Sequence, residues 1–156
     1  MKLLVLSDSH GDTGLMRQVV QKFNGIASCI LFLGDYARDS KALKFDGPIY
    51  VVLGNCDFVP EHPREQLLNL GGKTIWMCHG DRFGVKAGYD RITAAAAQRN
   101  ADICLFGHTH APTSFVKNGI LFLNPGSISE PRGLKWKSYA VIEIVGEDVL
   151  PNIIEI

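Results

Sequence analysis

The stretch "ICLFGHTHAP" (residues 103–112) joins a short apolar run to two histidines. Residues 103–106 are continuously apolar, a pattern typical of a strand that is covered on both faces of a parallel sheet. Gly107 ends the run, and His108 and His110 follow one residue apart. Ligands of open α/β sheets bind outside the carboxyl ends of the strands, so this stretch predicts a buried strand with a functional site at its end.

Similar apolar runs, each bounded by turn or polar residues, recur along the chain. They occupy residues 2–7, 29–34, 48–54, 73–78 and 120–124. Helical periodicity lies between some of these runs, over residues 12–25 and 88–102, and a shorter helix is predicted around residues 39–44. Asp12 or Thr13 can cap the first of these helices. Strands interleaved with helices predict an α/β core.

The remaining elements are predicted to be antiparallel hairpins. Asn118-Gly119 is a strong two-residue hairpin signal, and alternating residues flank a turn at residues 146–148. A further hairpin is predicted across Gly71-Gly72. We therefore expect one domain over residues 1–156, of class α/β (α+β), with two packed sheets flanked by helices.

The composition argues against several classes of protein. The 16 basic and 16 acidic residues give a net charge of zero, which argues against a large basic surface for nucleic acid or anionic membrane. The apolar runs are too short to span a membrane or to form a signal peptide, so we expect a cytoplasmic protein. The cysteines form no CxxC pair and are expected to be free thiols: Cys29, Cys56, Cys78 and Cys104.

Metal-binding side chains follow five of the predicted strands. These are Asp8, His10, Asp35, Asn55, His79, His108 and His110. Side chains one residue apart on an extended chain point the same way, so each of the pairs 8/10 and 108/110 can reach a shared pocket. Seven ligands are too many for one catalytic zinc ion but serve two ions if a carboxylate bridges them. Four imidazoles disfavour magnesium and calcium and favour manganese, iron, zinc, cobalt or nickel.

A pair of such ions indicates phosphoryl chemistry. Two divalent ions, two aspartates and a hydroxide leave one positive charge, which favours an anion such as a phosphodiester. Two-metal sites supply a hydroxide at neutral pH and a clamp on phosphoryl oxygens. We therefore expect hydrolysis of a small phosphodiester by attack of a metal-bridging hydroxide. The sequence has no serine–histidine–acid arrangement or P-loop that would indicate other chemistry.

Five short motifs occur in order along the chain: "DSH" (8–10), "GD" (34–35), "GNCD" (54–57), "HGD" (79–81) and "GHTH" (107–110). With the later "NPGS" (124–127), they resemble the calcineurin-like metallophosphoesterase superfamily, in particular its small single-domain phosphodiesterases. The resemblance implies a four-layer αββα sandwich of two mixed β-sheets flanked by helices. It implies one metal held by Asp8, His10, Asp35 and His110. It implies a second metal held by Asp35, Asn55, His79 and His108, with Asn55 also near the phosphate.

The sequence departs from the family pattern at Cys56. Many members have a histidine there, which acts on the leaving group or the phosphate. A thiol with an ordinary pKa of about 8.5 is a poorer acid–base group at pH 7, so we expect dependence on good leaving groups. Asn55 and Cys56 are thus the candidate catalytic residues. In the basic segment 131–137, normally a solvated loop, Arg132 or Lys135 could steer a phosphate.

Other interpretations remain open at this point. The resemblance includes a retromer subunit that serves chiefly in protein interaction, so a non-catalytic metal-binding scaffold is an alternative. The ligand count disfavours a mononuclear zinc hydrolase. We expect manganese first, with zinc, iron, nickel or cobalt as alternatives. Edge strands could pair between copies, which leaves a homodimer or a higher homo-oligomer open, and nucleic acid is not excluded as a substrate. His62 is expected to be only a loop residue.

Overall fold

The computed structural model describes residues 1–133 and 136–156. Its strands are β1 (Lys2–Leu6), β2 (Cys29–Phe32), β3 (Ile49–Val51), β4 (Glu65–Leu70), β5 (Lys73–Cys78), β6 (Ile103–Leu105), β7 (Thr113–Lys117), β8 (Ile120–Asn124), β9 (Ser138–Val145) and β10 (Asp148–Glu155). The α-helices are α1 (Thr13–Phe23) and α2 (Asp90–Gln98), and short 3₁₀ helices span Ala37–Ala42 and Asp81–Phe83. The predicted strands are therefore all present. Lys135, a candidate for steering a phosphate, lies outside the described residues.

The strands form two mixed five-stranded sheets. The first has the order β10-β9-β1-β2-β3 and the second the order β4-β5-β6-β8-β7. Strands β1, β2 and β3 are parallel, as are β5, β6 and β8, whereas the flanking strands are antiparallel. The hairpins predicted at Gly71-Gly72, Asn118-Gly119 and residues 146–148 are all present.

Three apolar clusters hold four layers together. The central cluster lies between the sheets and joins residues such as Leu3 and Leu31 of the first sheet to Ile75 and Leu105 of the second. A second cluster packs α1 against the outer face of the first sheet, and a third packs α2 against the outer face of the second sheet. The αββα sandwich of two mixed sheets with flanking helices is thus confirmed. Neither α-helix of the described chain has the length and apolar composition needed to cross a membrane.

Some predicted boundaries differ from the observed ones. The helix predicted around residues 39–44 is a 3₁₀ helix at Ala37–Ala42, and β3 covers only part of the apolar run 48–54. The helix predicted over residues 88–102 ends at Gln98, and Asn100 follows with a left-handed backbone. The first helix begins as predicted, because a side-chain oxygen of Asp12 accepts the amide N–H of Leu15 at 3.4 Å.

The carboxyl ends of the parallel strands meet at one edge of the sandwich. The loop after β1 is bonded to the loop after β2 through the amide of Asp8 and the carbonyl of Gly34, 3.0 Å apart. The two sheets are joined there as well, since the amide of Ile128 donates to the carbonyl of Ser7 at 3.1 Å. Side chains that follow different strands are therefore brought together at this edge.

Candidate metal centre

Six of the seven predicted ligands form two clusters at this edge. The first comprises Asp8, His10, Asp35 and His110, and the second comprises Asp35, His79 and His108. Within each cluster the nitrogen and oxygen atoms that could bind an ion lie within 4.8 Å of one another. Asp35 belongs to both clusters, so its carboxylate lies between the other candidate ligands.

The ligand atoms lie close together, and two of them lack a hydrogen-bond partner, although Nε2 of His10 and Nε2 of His110 are paired at 3.2 Å. Oδ1 of Asp8 is 3.1 Å from Nε2 of His110, and Oδ2 of Asp35 is 3.3 Å from Nε2 of His79. Yet Asp8 Oδ1 and His79 Nε2 are buried with no hydrogen-bond partner in the described chain. Buried polar atoms are costly when unpaired, and a cation between them would satisfy both. The donor set, with imidazole nitrogens and carboxylate oxygens, fits divalent transition metals.

Backbone carbonyls orient two of the histidine rings. Nδ1 of His79 lies 2.7 Å from the carbonyl oxygen of Leu33, and Nδ1 of His110 lies 2.6 Å from that of Glu130. In a neutral ring an Nδ1–H that donates to such a carbonyl leaves Nε2 without a proton. Both Nε2 atoms then face the centre with a lone pair that an ion could accept, an arrangement common in metal sites.

Asp8 is held by contacts from three parts of the chain. Its Oδ2 accepts the hydroxyl of Ser7 at 2.5 Å and the amide of His108 at 3.2 Å, which leaves Oδ1 for the centre. Its carbonyl oxygen accepts the hydroxyls of Ser127 and Ser129 at 2.7 and 3.0 Å. The motif at residues 124–127 gives no sign in the sequence of this contact, and Ser127 supports Asp8 in the structure.

Two glycines allow the backbone to approach the aspartates. A Cβ on Gly107 would lie 2.0 Å from the hydroxyl oxygen of Ser7 and 2.8 Å from Oδ2 of Asp8. A Cβ on Gly54 would lie 2.2 Å from Oδ1 of Asp35. A side chain at either position would therefore displace the carboxylates or the groups that hold them.

Five of the candidate ligands have a left-handed backbone. The φ angles are 54° at Asp8, 43° at His10, 54° at Asp35, 69° at His108 and 59° at His110. Such conformations are uncommon outside glycine, although aspartate and histidine adopt them more readily than most residues, and they concentrate at functional sites. The expectation that the 8/10 and 108/110 pairs lie on extended chain is therefore wrong. His108 and His110 contribute to different clusters because the backbone turns between them.

The crowded charges shift several pKa values. Burial by itself would lower the pKa of His79, but the carboxylates of Asp35 and Asp8 raise it to about 9. Burial would raise the pKa of Asp35, but the neighbouring His79 holds it well below its usual range. Burial and the positive charge of His79 lower the pKa of His108 to about 4. The metal-free cluster thus holds a proton at His79 at neutral pH, where an ion would otherwise supply positive charge.

Asn55 and Cys56 lie beside Asp35. The amide of Cys56 donates to Oδ1 of Asp35 at 2.8 Å, whereas the exposed Asn55 side chain donates to Cys56 Sγ at 3.3 Å. Burial, followed by the charge of Asp35, raises the pKa of the Cys56 thiol to about 11. The thiol is therefore protonated at neutral pH and is a weaker acid than sequence analysis assumes.

The other residues singled out in the sequence lie around the centre or in the core. Arg132 is exposed, and its amide donates to the carbonyl of His110 at 3.2 Å, so it borders the first cluster. His62 lies in the loop between β3 and β4, outside both clusters. The predicted free thiols Cys29, Cys78 and Cys104 are confirmed and buried.

The comparisons with known proteins agree with this geometry. The family model described as "Calcineurin-like phosphoesterase superfamily domain" matches residues 1–147. The probable metallophosphoesterase YsnB of Bacillus subtilis is 33% identical over 144 residues, which cover 92% of this chain and 85% of that protein. Phosphodiesterase YfcE of Escherichia coli K12 is 28% identical, over 92% of this chain and 88% of that protein.

Solved structures have the same fold. A predicted phosphoesterase from Streptococcus pneumoniae superposes with a TM-score of 0.84 at 34% identity, over 99% of this chain and 88% of that one. Wild-type Vps29 of Entamoeba histolytica complexed with zinc superposes with a TM-score of 0.76 at 20% identity, over 99% of each chain, a likeness of fold alone. From its motifs, its fold and its matches, this chain belongs to the calcineurin-like phosphoesterase superfamily.

Proposed function

We propose that this protein is a dinuclear metal-dependent phosphodiesterase. The observation that carries the proposal is the position of Asp35, whose carboxylate belongs to both ligand clusters. The unpartnered Asp8 Oδ1 and His79 Nε2 support it, because each cluster contains a buried atom that an ion would satisfy. The name of the relative YfcE, a phosphodiesterase, supports the choice of reaction.

The candidate ligands at this edge of the sandwich would bind two ions, with Asp35 shared between them. Asp8, His10, Asp35 and His110 would hold one ion, and Asp35, His79 and His108, joined by Asn55, the other. Two divalent ions, manganese first among those the ligands suit, supply a hydroxide nucleophile at neutral pH and positive charge for the phosphoryl oxygens.

The protein groups around the ions orient and hold the reacting species. Carbonyls of Leu33 and Glu130 fix the rings of His79 and His110, so their Nε2 atoms stay directed at the centre. Asn55, exposed beside Asp35, would donate its amide to a phosphate oxygen. Cys56 keeps its proton at neutral pH, and a donor with so high a pKa gives little help to a poor leaving group.

A second candidate is a metal-binding scaffold without catalytic activity. The high pKa of the Cys56 thiol favours it, since this residue stands where many family members have a histidine. The two candidates predict the same metal content and differ only in turnover. Metal content and hydrolysis therefore have to be measured on the same sample.

The test compares wild-type protein with Asp35→Asn after loading with manganese. We expect two ions per wild-type chain by elemental analysis and hydrolysis of bis(p-nitrophenyl) phosphate. The isosteric Asp35→Asn should lower kcat/KM by about 100-fold or more, because it weakens both ion positions at once. Asp148→Asn, at the exposed first residue of β10, is the matched control and should retain the wild-type rate.

Each alternative has its own outcome. Two bound ions without hydrolysis would overturn the enzyme proposal in favour of the scaffold. One bound ion with hydrolysis would overturn the dinuclear proposal in favour of a mononuclear site. Equal rates for wild type and a correctly folded Asp35→Asn variant would exclude catalysis through a bridging carboxylate.

A further inference from the structure

A cavity of about 360 Å³ lies directly beside the candidate metal centre. Cys56 belongs to its wall and also donates its amide to Asp35. Tyr36 belongs to its wall as well, and its ring centroid lies 5.3 Å from that of His10. A group attached to a phosphate at the centre could therefore extend into this cavity.

One side of the cavity is apolar and unusually exposed. Leu53, Phe58 and Val59 line it, and Phe58 is 91% exposed while Val59 is 61% exposed. Within the part of the chain that is described, nothing covers the phenyl ring of Phe58. An exposed aromatic ring on the wall of a cavity offers a planar face on which a flat ligand group can stack.

The other side of the cavity carries an arginine that has no carboxylate partner among the described residues. The guanidinium carbon of Arg38 lies 4.9 Å from the centroid of the Tyr36 ring, and no carboxylate of residues 1–133 and 136–156 lies within 4 Å of its nitrogens. Lys41 is paired with Glu61 at 2.5 Å. The carboxylate of Asp57 is occupied by the amides of Ala37 and Gly54, at 2.7 and 2.9 Å. Arg38 is therefore available to a ligand.

We propose that this cavity binds the nucleoside group of a nucleotide phosphodiester, with its base stacked on Phe58 and Arg38 bonded to its polar edge or sugar. The inference rests on the proposed function and names the substrate class of that same site.

The size and the chemistry of the walls favour a nucleoside over a simple alkyl ester. The volume of the cavity falls within the range of small-molecule pockets. An alkyl group of a few carbons would leave most of this volume unfilled. An alkyl group also has no π-face for Phe58 and no acceptor for Arg38. A nucleoside offers both, together with the phosphate that reaches the centre.

The test measures binding and does not depend on turnover. Manganese-loaded protein is titrated by calorimetry with adenosine 5′-monophosphate, ribose 5-phosphate and inorganic phosphate. We expect the wild type to bind adenosine 5′-monophosphate at least tenfold more tightly than ribose 5-phosphate. Phe58→Ala should remove about tenfold of that preference, the size of a lost base–aromatic stack. Val116→Ala, an exposed apolar truncation on β7 outside the cavity, should retain the wild-type preference.

The outcomes separate this inference from the proposed function. Equal affinity of the wild type for adenosine 5′-monophosphate and ribose 5-phosphate would overturn the nucleoside pocket and leave the phosphate site intact. The same holds if Phe58→Ala keeps the full preference. If the loaded protein bound none of the three phosphates but hydrolysed bis(p-nitrophenyl) phosphate, the pocket would be overturned and the proposed function would stand. Absence of both binding and hydrolysis would overturn the two together.

Discussion

Nε2 of His79 lies 3.3 Å from Oδ2 of Asp35, yet the two atoms are not aligned for a hydrogen bond and the nitrogen has no partner in the described chain. The ring is anchored from behind, at Nδ1, by the carbonyl of Leu33. Its position is therefore set by the backbone directly after β2 and not by the aspartate it faces. Nε2 of His79 and the carboxylate of Asp35 are therefore positioned to bind one ion between them.

We predict that metal affinity rises with pH. Since the pKa of His79 is about 9 in the metal-free protein, an ion that binds at pH 7 must displace a proton. The apparent affinity for manganese should therefore increase about tenfold per pH unit between pH 7 and 9 and level off above. The pKa of His108, about 4, adds nothing in this range because that ring is already neutral.

Calorimetry at pH 7.5 in buffers of different ionisation enthalpy measures the protons released. Wild type is expected to release about one proton per chain more than a His79→Gln variant, in which His110, whose pKa the carboxylate of Asp8 also raises, remains as a source of protons. A pH-independent manganese affinity between pH 7 and 9 would contradict the assignment of His79 as a ligand.

We predict that Cys56→His increases activity on poor leaving groups. An imidazole titrates near neutral pH, whereas the thiol of Cys56 has a pKa of about 11 and donates its proton poorly. The variant should raise kcat/KM for methyl phenyl phosphate about tenfold or more, with a smaller effect on methyl p-nitrophenyl phosphate. Cys56→Ser, which also lacks a group that titrates near pH 7, is the control. An unchanged or lower rate on the phenyl ester would count against this role.

We predict that Ser127→Ala weakens metal binding from a position that offers no ligand. Its hydroxyl donates to the carbonyl of Asp8 at 2.7 Å and accepts the amides of Ser129 and Glu130 at 3.1 and 2.7 Å. Loss of these contacts loosens both Asp8 and the carbonyl that orients His110. Manganese affinity should fall about tenfold or more.

A buried hydroxyl elsewhere is the control for Ser127. Thr93 in α2 donates its hydroxyl to the carbonyl of Asp90 at 2.9 Å and belongs to neither ligand cluster. Thr93→Ala should lower stability by about 1 kcal/mol and leave manganese affinity unchanged. Equal losses of affinity in the two variants would mean that general destabilisation explains the effect.

We predict opposite effects from alanine at two glycines. Gly107→Ala would place a Cβ 2.0 Å from the hydroxyl oxygen of Ser7 and should lower the free energy of unfolding by about 2 kcal/mol. Gly14 lies in α1 with its nearest neighbour at 3.6 Å, so Gly14→Ala should raise that free energy by about 0.5 kcal/mol. Urea unfolding measures both changes. A neutral Gly107→Ala variant would show that the loop after β6 can move away from Asp8.

The sequence predicts the fold and the main ligands because both follow from local pattern. Continuous apolar runs identify the inner strands, and the polar residue after each run identifies what its carboxyl end presents. The hairpin signals Gly71-Gly72 and Asn118-Gly119 and the Asp12 cap are local signals of the same kind, and all of them are found.

Features that depend on distant segments could not be predicted in this way. Ser127 and Asp8 are 119 positions apart, and nothing around either residue indicates that one bonds the other. The cavity beside Cys56 combines the 3₁₀ helix after β2 with the loop after β3, so its walls exist only once the strands have paired. The left-handed turns at the ligands have only a weak sequence signal, because aspartate and histidine adopt this conformation more readily than most residues but are also common in extended loops.

Those left-handed turns lower the stability of the fold, and packing elsewhere in the molecule must offset the loss. Each non-glycine residue held in this conformation costs on the order of 1 kcal/mol, and five of the six that lie at this edge are candidate ligands, the sixth being Tyr36. A homologue that no longer bound metal could replace these ligand residues with glycine, which would increase its stability and remove the metal site. Selection for thermal stability alone would therefore be expected to substitute residues at this edge of the sandwich before residues of the sheets.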